Sequence, residues 1–313
     1  MTKKDNDVLK KTLKHYIELD LYANGVADDI NVILEDLIKR CNAAILDSEY
    51  INTKTDYKKI DRVINEYLEE FQIELNNRLE TEADIIKTKQ TEFLSNTYGP
   101  ELAIGTIALS KILFTPFDNK DTVKTFAERS IKNIKRTYDT SLRSGYLFGQ
   151  KAEDVRNQTV TNIKQVSNGI RNGVITAIPS FAKTTDRLVF YANNIEVVWV
   201  STLDGHTCLR CASLSGTRYK SITSAPPIPL HCLCRCILIP VRDITEPVPD
   251  FEGFINSLEE EEQKEVLGTN RFNLWKEYEV PLNKFLNDGR VIRLEDLDKN
   301  LKEKSVTSET TAK

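Results

Sequence analysis

Five of the chain's six cysteines and two of its three histidines fall between His206 and Val241, in "HTCLRCASLSGTRYKSITSAPPIPLHCLCRCILIPV". Thiols crowded so closely leave three outcomes: they bridge in pairs, they hold a metal, or one of them reacts. Cys208 and Cys211 are spaced C-x2-C, at which a tight knuckle turns both sulfurs toward one tetrahedral ion. After nineteen intervening residues, His231 and Cys234 give H-x2-C, with Cys236 two positions on. The run "CRCILIPV" reads as a strand, which would place Cys232, Cys234 and Cys236 on one face by the period of two.

The rest of the chain decides among the three. The N-terminal "MTKKDNDVLKKTLKHY" has no apolar core of a signal peptide, and nothing approaches the roughly 18 apolar residues of a membrane span. We therefore expect a soluble protein kept in a reducing cytosol, where clustered cysteines are more often metal ligands than disulfides. A separate Cys–His dyad has little material, because His15 is the only histidine outside the cluster. The deaminase pattern H-x-E with P-C-x-x-C is absent: Cys232 and Leu233 follow His231, and Leu230 follows Pro229. The expectation is one structural Zn2+, with Cys208, Cys211, Cys234 and one of His231 or Cys236 as its four ligands. Cys232 is the spare thiol, and His206 a turn residue. Cys41 belongs to an upstream apolar stripe and reads as a small core hydrophobe.

The expected fold class is α+β. Ile30, Ile33, Leu34, Leu37, Cys41, Ala44 and Ile45 recur at a helical period. A second helix shows in Ile60, Ile64, Tyr67, Phe71, Leu75 and Leu79, and a third in "ADIIKTKQTEFLSNTYGP", stopped by Gly99 and Pro100. These fill an N-terminal helical region, 1–100. The central helical region, 101–190, opens with an apolar helix in "ELAIGTIALSKILF". It carries 13 Lys/Arg against 7 Asp/Glu from Asp118 to Phe190. There Ala127, Ile131, Ile134, Tyr138 and Leu142 share a face opposite Arg129, Lys132, Arg136 and Arg143. That basic stripe reads equally as a solvated face or as a contact for phosphate or an acidic partner. "GYLFGQKAEDVRNQTVTNIKQVSNGIRNGV" reads as a turn, a short helix and a glycine-broken connection, before a helix in "IPSFAKTTDRLVFYANN". The cysteine-rich unit, 191–245, starts with the strand "IEVVWVST" and reads on as short strands and turns. A C-terminal helical segment, 246–297, contains one helix ending near Gly268, and 298–313 is a polar tail expected to be disordered. So small a β unit buries little apolar area, which is the physical reason for a metal staple.

"WVSTLDGHTCLRCASLSG" followed by "PPIPLHCLCRC" resembles the Mu F-like minor head protein family of tailed bacteriophages, the head morphogenesis proteins. The likeness runs through Trp199, Asp204, Cys208, Cys211, Leu214, Gly216, Pro226, Pro227, His231, Cys234 and Cys236. It extends over roughly residues 120–297, including "LEEEEQKEVLGTNRFNLWKEYEVPLNKFLNDGRVIRLEDL". His206 stands where the family often has Arg, and Cys232 is an added thiol. The resemblance implies a virion protein made in the bacterial cytoplasm and present in few copies in the head. It also implies that the protein is not an enzyme, and that it associates with the portal and with scaffold or major capsid protein. Packaged DNA would be met through Arg129, Lys132, Arg136 and Arg143. The rivals are a zinc-dependent DNA nuclease, drawing on Asp204, His206 and His231, and a zinc-ribbon DNA binder.

Overall fold

Apolar residues at every third or fourth position carry the first helix, α1 (Asp5–Leu46), whose buried face runs from Tyr16 through Ala23, Ile30 and Leu37 to Ile45. The computed structural model describes residues 5–99, 102–117, 120–202, 207–241, 251–277, 279–287, 290–292 and 294. The second and third expected helices are one, α2 (Lys54–Tyr98). Thr53 caps it by accepting the Asp56 N–H at 3.1 Å, and Gly99 ends it. Leu68, not Tyr67, completes its buried stripe; Tyr67 lies under the Arg40 guanidinium instead.

The apolar helix expected over "ELAIGTIALSKILF" shrinks to α3 (Leu109–Leu113). Gly105 and the β-branched Thr106 disfavour helix, and 103–108 are non-helical. The helix α4 (Val123–Phe148) starts at a Thr122–Thr125 capping box and ends at left-handed Gly149. It buries Phe126, Ala127, Ile134, Tyr138 and Leu142.

The glycine-broken connection is not there. Ala152–Ala192 is a single helix, α5, running through Gly169, Gly173 and Pro179. Tertiary packing overrides these local breakers: nearly every residue from Gly173 to Asp186 is buried. Gly173 is also required by shape, since a Cβ there would collide with the Phe126 ring; at Gly145 it would meet Val155. α4 and α5 therefore pack backbone to side chain at two points, one against the Phe126 ring and one against Val155. Polar contacts fix the helix directions. Tyr22 meets Glu82 and Arg40 meets Glu70, so α1 and α2 are antiparallel; Arg171 meets Asp28 and Tyr16 meets Asp186, so α1 and α5 are too. The result is an up-down four-helix bundle of α1, α2, α4 and α5.

By its contacts the chain divides into two units, one of Lys10–Ala192 with His231–Cys234, the other of Asn193–Leu230 and the described residues from Arg235 onward, with the first residues of α1. The second unit holds the antiparallel sheet β2-β1-β3: β1 (Val197–Val200), β2 (Arg218–Tyr219) and β3 (Ile237–Pro240). Trp199 pairs with Leu238 in the register, and its backbone bonds Gly216 and Thr217 at 2.9 Å on the other side. All four β1 residues are buried, as a central strand's β-branched run requires. Between β1 and β2 stands a helix that the reading of strands and turns did not foresee, α6 (Leu209–Leu214).

The expected single helix before Gly268 is two, α7 (Phe251–Ser257) and α8 (Glu260–Leu267). They break at Glu259, which caps α8 in a box with Glu262. After it come α9 (Thr269–Glu277), a 3-10 turn at Leu282–Phe285, and the pair β4 (Leu286–Asn287) and β5 (Arg290–Val291). Ile255, Leu267, Phe272, Val280, Leu282 and Phe285 form one apolar cluster with Leu209 and Ala212 of α6. The chain is thus α+β. Among the described residues no helix is long and apolar enough to cross a membrane.

Candidate metal centre

The one-and-a-half turns of α6 sort its residues. Leu209 and Ala212, three apart, face the apolar cluster. Cys208 and Cys211, also three apart, form the knuckle, with Cys208 as N-cap accepting the Cys211 N–H on sulfur at 3.4 Å. The helix is anchored from β1. Ser201 donates its single hydroxyl hydrogen to the Cys211 carbonyl at 2.6 Å and accepts from Trp199 Nε1 at 3.1 Å. Its oxygen also lies 3.5 Å from Cys236 Sγ. With that hydrogen committed, Ser201 is left as an acceptor toward Cys236.

The returning segment differs from expectation. Residues 231–236 are a turn followed by extended chain rather than a strand, and β3 begins only at Ile237. Leu233 lies in the left-handed region at φ 60°, which breaks the alternation of the three thiols. Cys232 points elsewhere: its Sγ lies 3.7 Å from the Asn172 carbonyl and 3.4 Å from Thr176 Oγ1. Thr176 already donates to Asn172 and accepts from the Leu233 N–H at 2.9 Å, so the Cys232 thiol is the donor. Lys183, buried on α5, donates to the Cys234 carbonyl at 2.9 Å.

His231 carries the most telling geometry. Its Nδ1 lies 2.7 Å from the Cys232 carbonyl. A carbonyl only accepts, so Nδ1 holds the hydrogen and Nε2 carries the ring's lone pair. Metal-ligating histidines are commonly fixed in this way, through the second ring nitrogen.

The donor atoms gather into two sets, each closed within 4.8 Å: Cys208, Cys211 and His231; and Cys211, Cys234 and Cys236. These groups can hold a metal ion. The five expected ligands are therefore brought together, but as two triads joined at Cys211 rather than as one set of four. Sulfur and imidazole donors of this kind suit a soft or borderline metal ion.

Cys41 is buried on α1, and burial pushes its thiol up to about 12, which leaves it an inert core residue. Asp204 and His206 lie outside the described residues. Of the basic stripe, Lys132, Arg136 and Arg143 are exposed, whereas Arg129 is paired with Asp121. Ser201 and Lys183 escaped the sequence reading. A lone lysine in the apolar run "ITAIPSFAK" was the one signal for the second, and nothing local marked the first.

Comparison of the chain with protein-family models, with curated proteins and with solved structures finds no match.

Proposed function

We propose that the Cys/His cluster holds a structural Zn2+ and that the chain is a non-catalytic minor head protein of a tailed bacteriophage. In this reading it sits in the virion, beside the portal, and serves head morphogenesis and DNA packaging or ejection. The observation that supports the metal half is the His231 ring, which gathers with the Cys208 and Cys211 thiols and is held through Nδ1 by the Cys232 carbonyl. Zinc would supply on the order of 10 kcal/mol toward folding a segment whose sheet has strands of only four, two and four residues. The bound ion would act on the chain's own fold, holding the knuckle of α6 and the 231–236 turn in place; no bond of a substrate is broken.

The head role is supported by the ordered likeness from Trp199 to Cys236 described above. Portal, scaffold and major capsid protein are the partners it suggests. The test is assembly: heads built with and without portal are purified and probed for this chain. The reading predicts the protein in portal-containing heads and its loss from portal-less ones. Equal amounts in both would refute the portal association.

A further inference from the structure

The charges of the bundle divide between its two hairpins. α1 and α2 carry 18 Asp/Glu against 12 Lys/Arg, whereas α4 and α5 carry 11 Lys/Arg against 5 Asp/Glu. Each excess is drawn up along one helix. On α2, Glu66, Glu69, Ile73 and Glu80 are exposed and stand at intervals of three, four and seven residues. At about 100° per residue these intervals keep all four within about 60° of one another, on one outer face. On α4, Arg129, Lys132, Arg136 and Arg143 stand at the same three intervals. The two faces therefore match position for position, with Glu69 answering Lys132 and Glu80 answering Arg143.

The first member of each set is engaged within the chain, Glu66 with Arg62 at 3.6 Å and Arg129 with Asp121. Among the described residues Glu69, Glu80, Lys132, Arg136 and Arg143 enter no ion pair, and all five are exposed. Ile73, between the two acids, is 62% exposed. One chain cannot bring these faces together, because α2 and α4 are antiparallel in the up-down bundle and the order of the intervals is reversed.

We infer that the acidic face of α2 on one copy docks on the basic face of α4 on a second copy of this chain, with the two helices parallel. Glu69 then meets Lys132, Glu80 meets Arg143, and the aliphatic part of Arg136 covers Ile73. The inference goes beyond the metal and head readings and depends on neither.

Glu69 and Glu80 are about 16 Å apart along α2, as Lys132 and Arg143 are along α4, so both pairs close at once. Arg136 lays its stem over Ile73 while its guanidinium stays in water. A DNA duplex would also meet these cations, but the acidic face of the adjacent α2 would repel its phosphates. A second copy turns the same acids into an attraction. Exposed pairs are individually weak and screened by salt, so the association depends on concentration and falls as ionic strength rises.

Sedimentation of the reduced full-length protein at low and high salt tests this. The wild type is expected to self-associate at low salt and to be monomeric at high salt. Lys132→Glu with Arg143→Glu, and separately Glu69→Lys with Glu80→Lys, should each weaken self-association at least about tenfold. Circular dichroism checks that these exposed changes leave the fold intact. Mixing the two variants should restore association, as a complex of one with the other. All four changes in one chain should restore it too, at the net charge of the wild type. A wild type that stays monomeric at low salt would overturn the inference. So would swapped variants that associate as the wild type does, or that fail to recover on mixing. If the wild type is monomeric and Lys132→Glu with Arg143→Glu abolishes its binding to duplex DNA, the basic face is a DNA contact instead.

Discussion

Tyr16 on α1 donates its phenolic hydrogen to a carboxylate oxygen of Asp186 on α5, 170 positions along the chain. Gln90 of α2 donates to the other oxygen at 2.5 Å, and the Gln90 carbonyl accepts from His15 Nε2 at 2.7 Å. Three helices thus converge on one buried acid, with Lys183 also on its side. Burial outweighs the two donors and the lysine, and lifts the Asp186 carboxyl to about 7.

That shift sets a pH dependence. An acid whose folded pKa is raised binds its proton more tightly in the folded state, so its contribution is fully present below its unfolded value and is lost as pH rises through about 7. Denaturant melts at pH 5 and pH 8 should show the wild type losing stability with rising pH relative to Asp186→Asn. The loss between those two pH values is on the order of 3 kcal/mol. Parallel curves for the two proteins would mean that the carboxyl titrates normally.

Gly173 makes a second test. Alanine there must displace the Phe126 ring, and overpacking of this kind costs about 1–3 kcal/mol. Thermal melting of Gly173→Ala should show a lowered Tm, partly restored by Phe126→Leu in the double variant. An unchanged Tm would mean that α4 and α5 are not in contact there.

The sequence made the α2 stripe, Trp199's strand and the two knuckles legible because each is a local pattern: a period, a β-branched run, a spacing. What it hid was decided at long range. Gly169, Gly173 and Pro179 spell a break, but the burial of α5 carries the helix through them. The six residues of α6 are too few for a period to show. The thiols of "CLCRC" were misassigned to one strand face because the left-handed turn at Leu233 leaves no local trace without a glycine. The candidate donors were readable, but their gathering into two sets that share Cys211 was not. It depends on Ser201, Trp199 and the apolar cluster beneath α6.

Cys232 separates ligand from bystander. Because its thiol is engaged with Asn172 and Thr176, Cys232→Ser should retain the full metal content of the wild type, measured on reduced protein. A loss of metal in that variant would place Cys232 among the ligands.

The exposed basic face of α4 bears on DNA. If packaged DNA is its partner, binding to duplex should weaken with salt, and replacing Lys132, Arg136 and Arg143 by alanine should lower the salt slope by about one per residue. Arg129→Ala should change it less, since Asp121 already neutralises that guanidinium. A triple variant with an unaltered slope would remove α4 as the contact.

The most direct measurement is the zinc content of purified, reduced protein, taken by elemental analysis beside a Cys211→Ser variant. One zinc per chain in the wild type and none in the variant is the predicted result, because Cys211 is the donor both triads share. A wild type without zinc, whose fold is also unchanged when Cys208 and Cys211 are both serine, would contradict it.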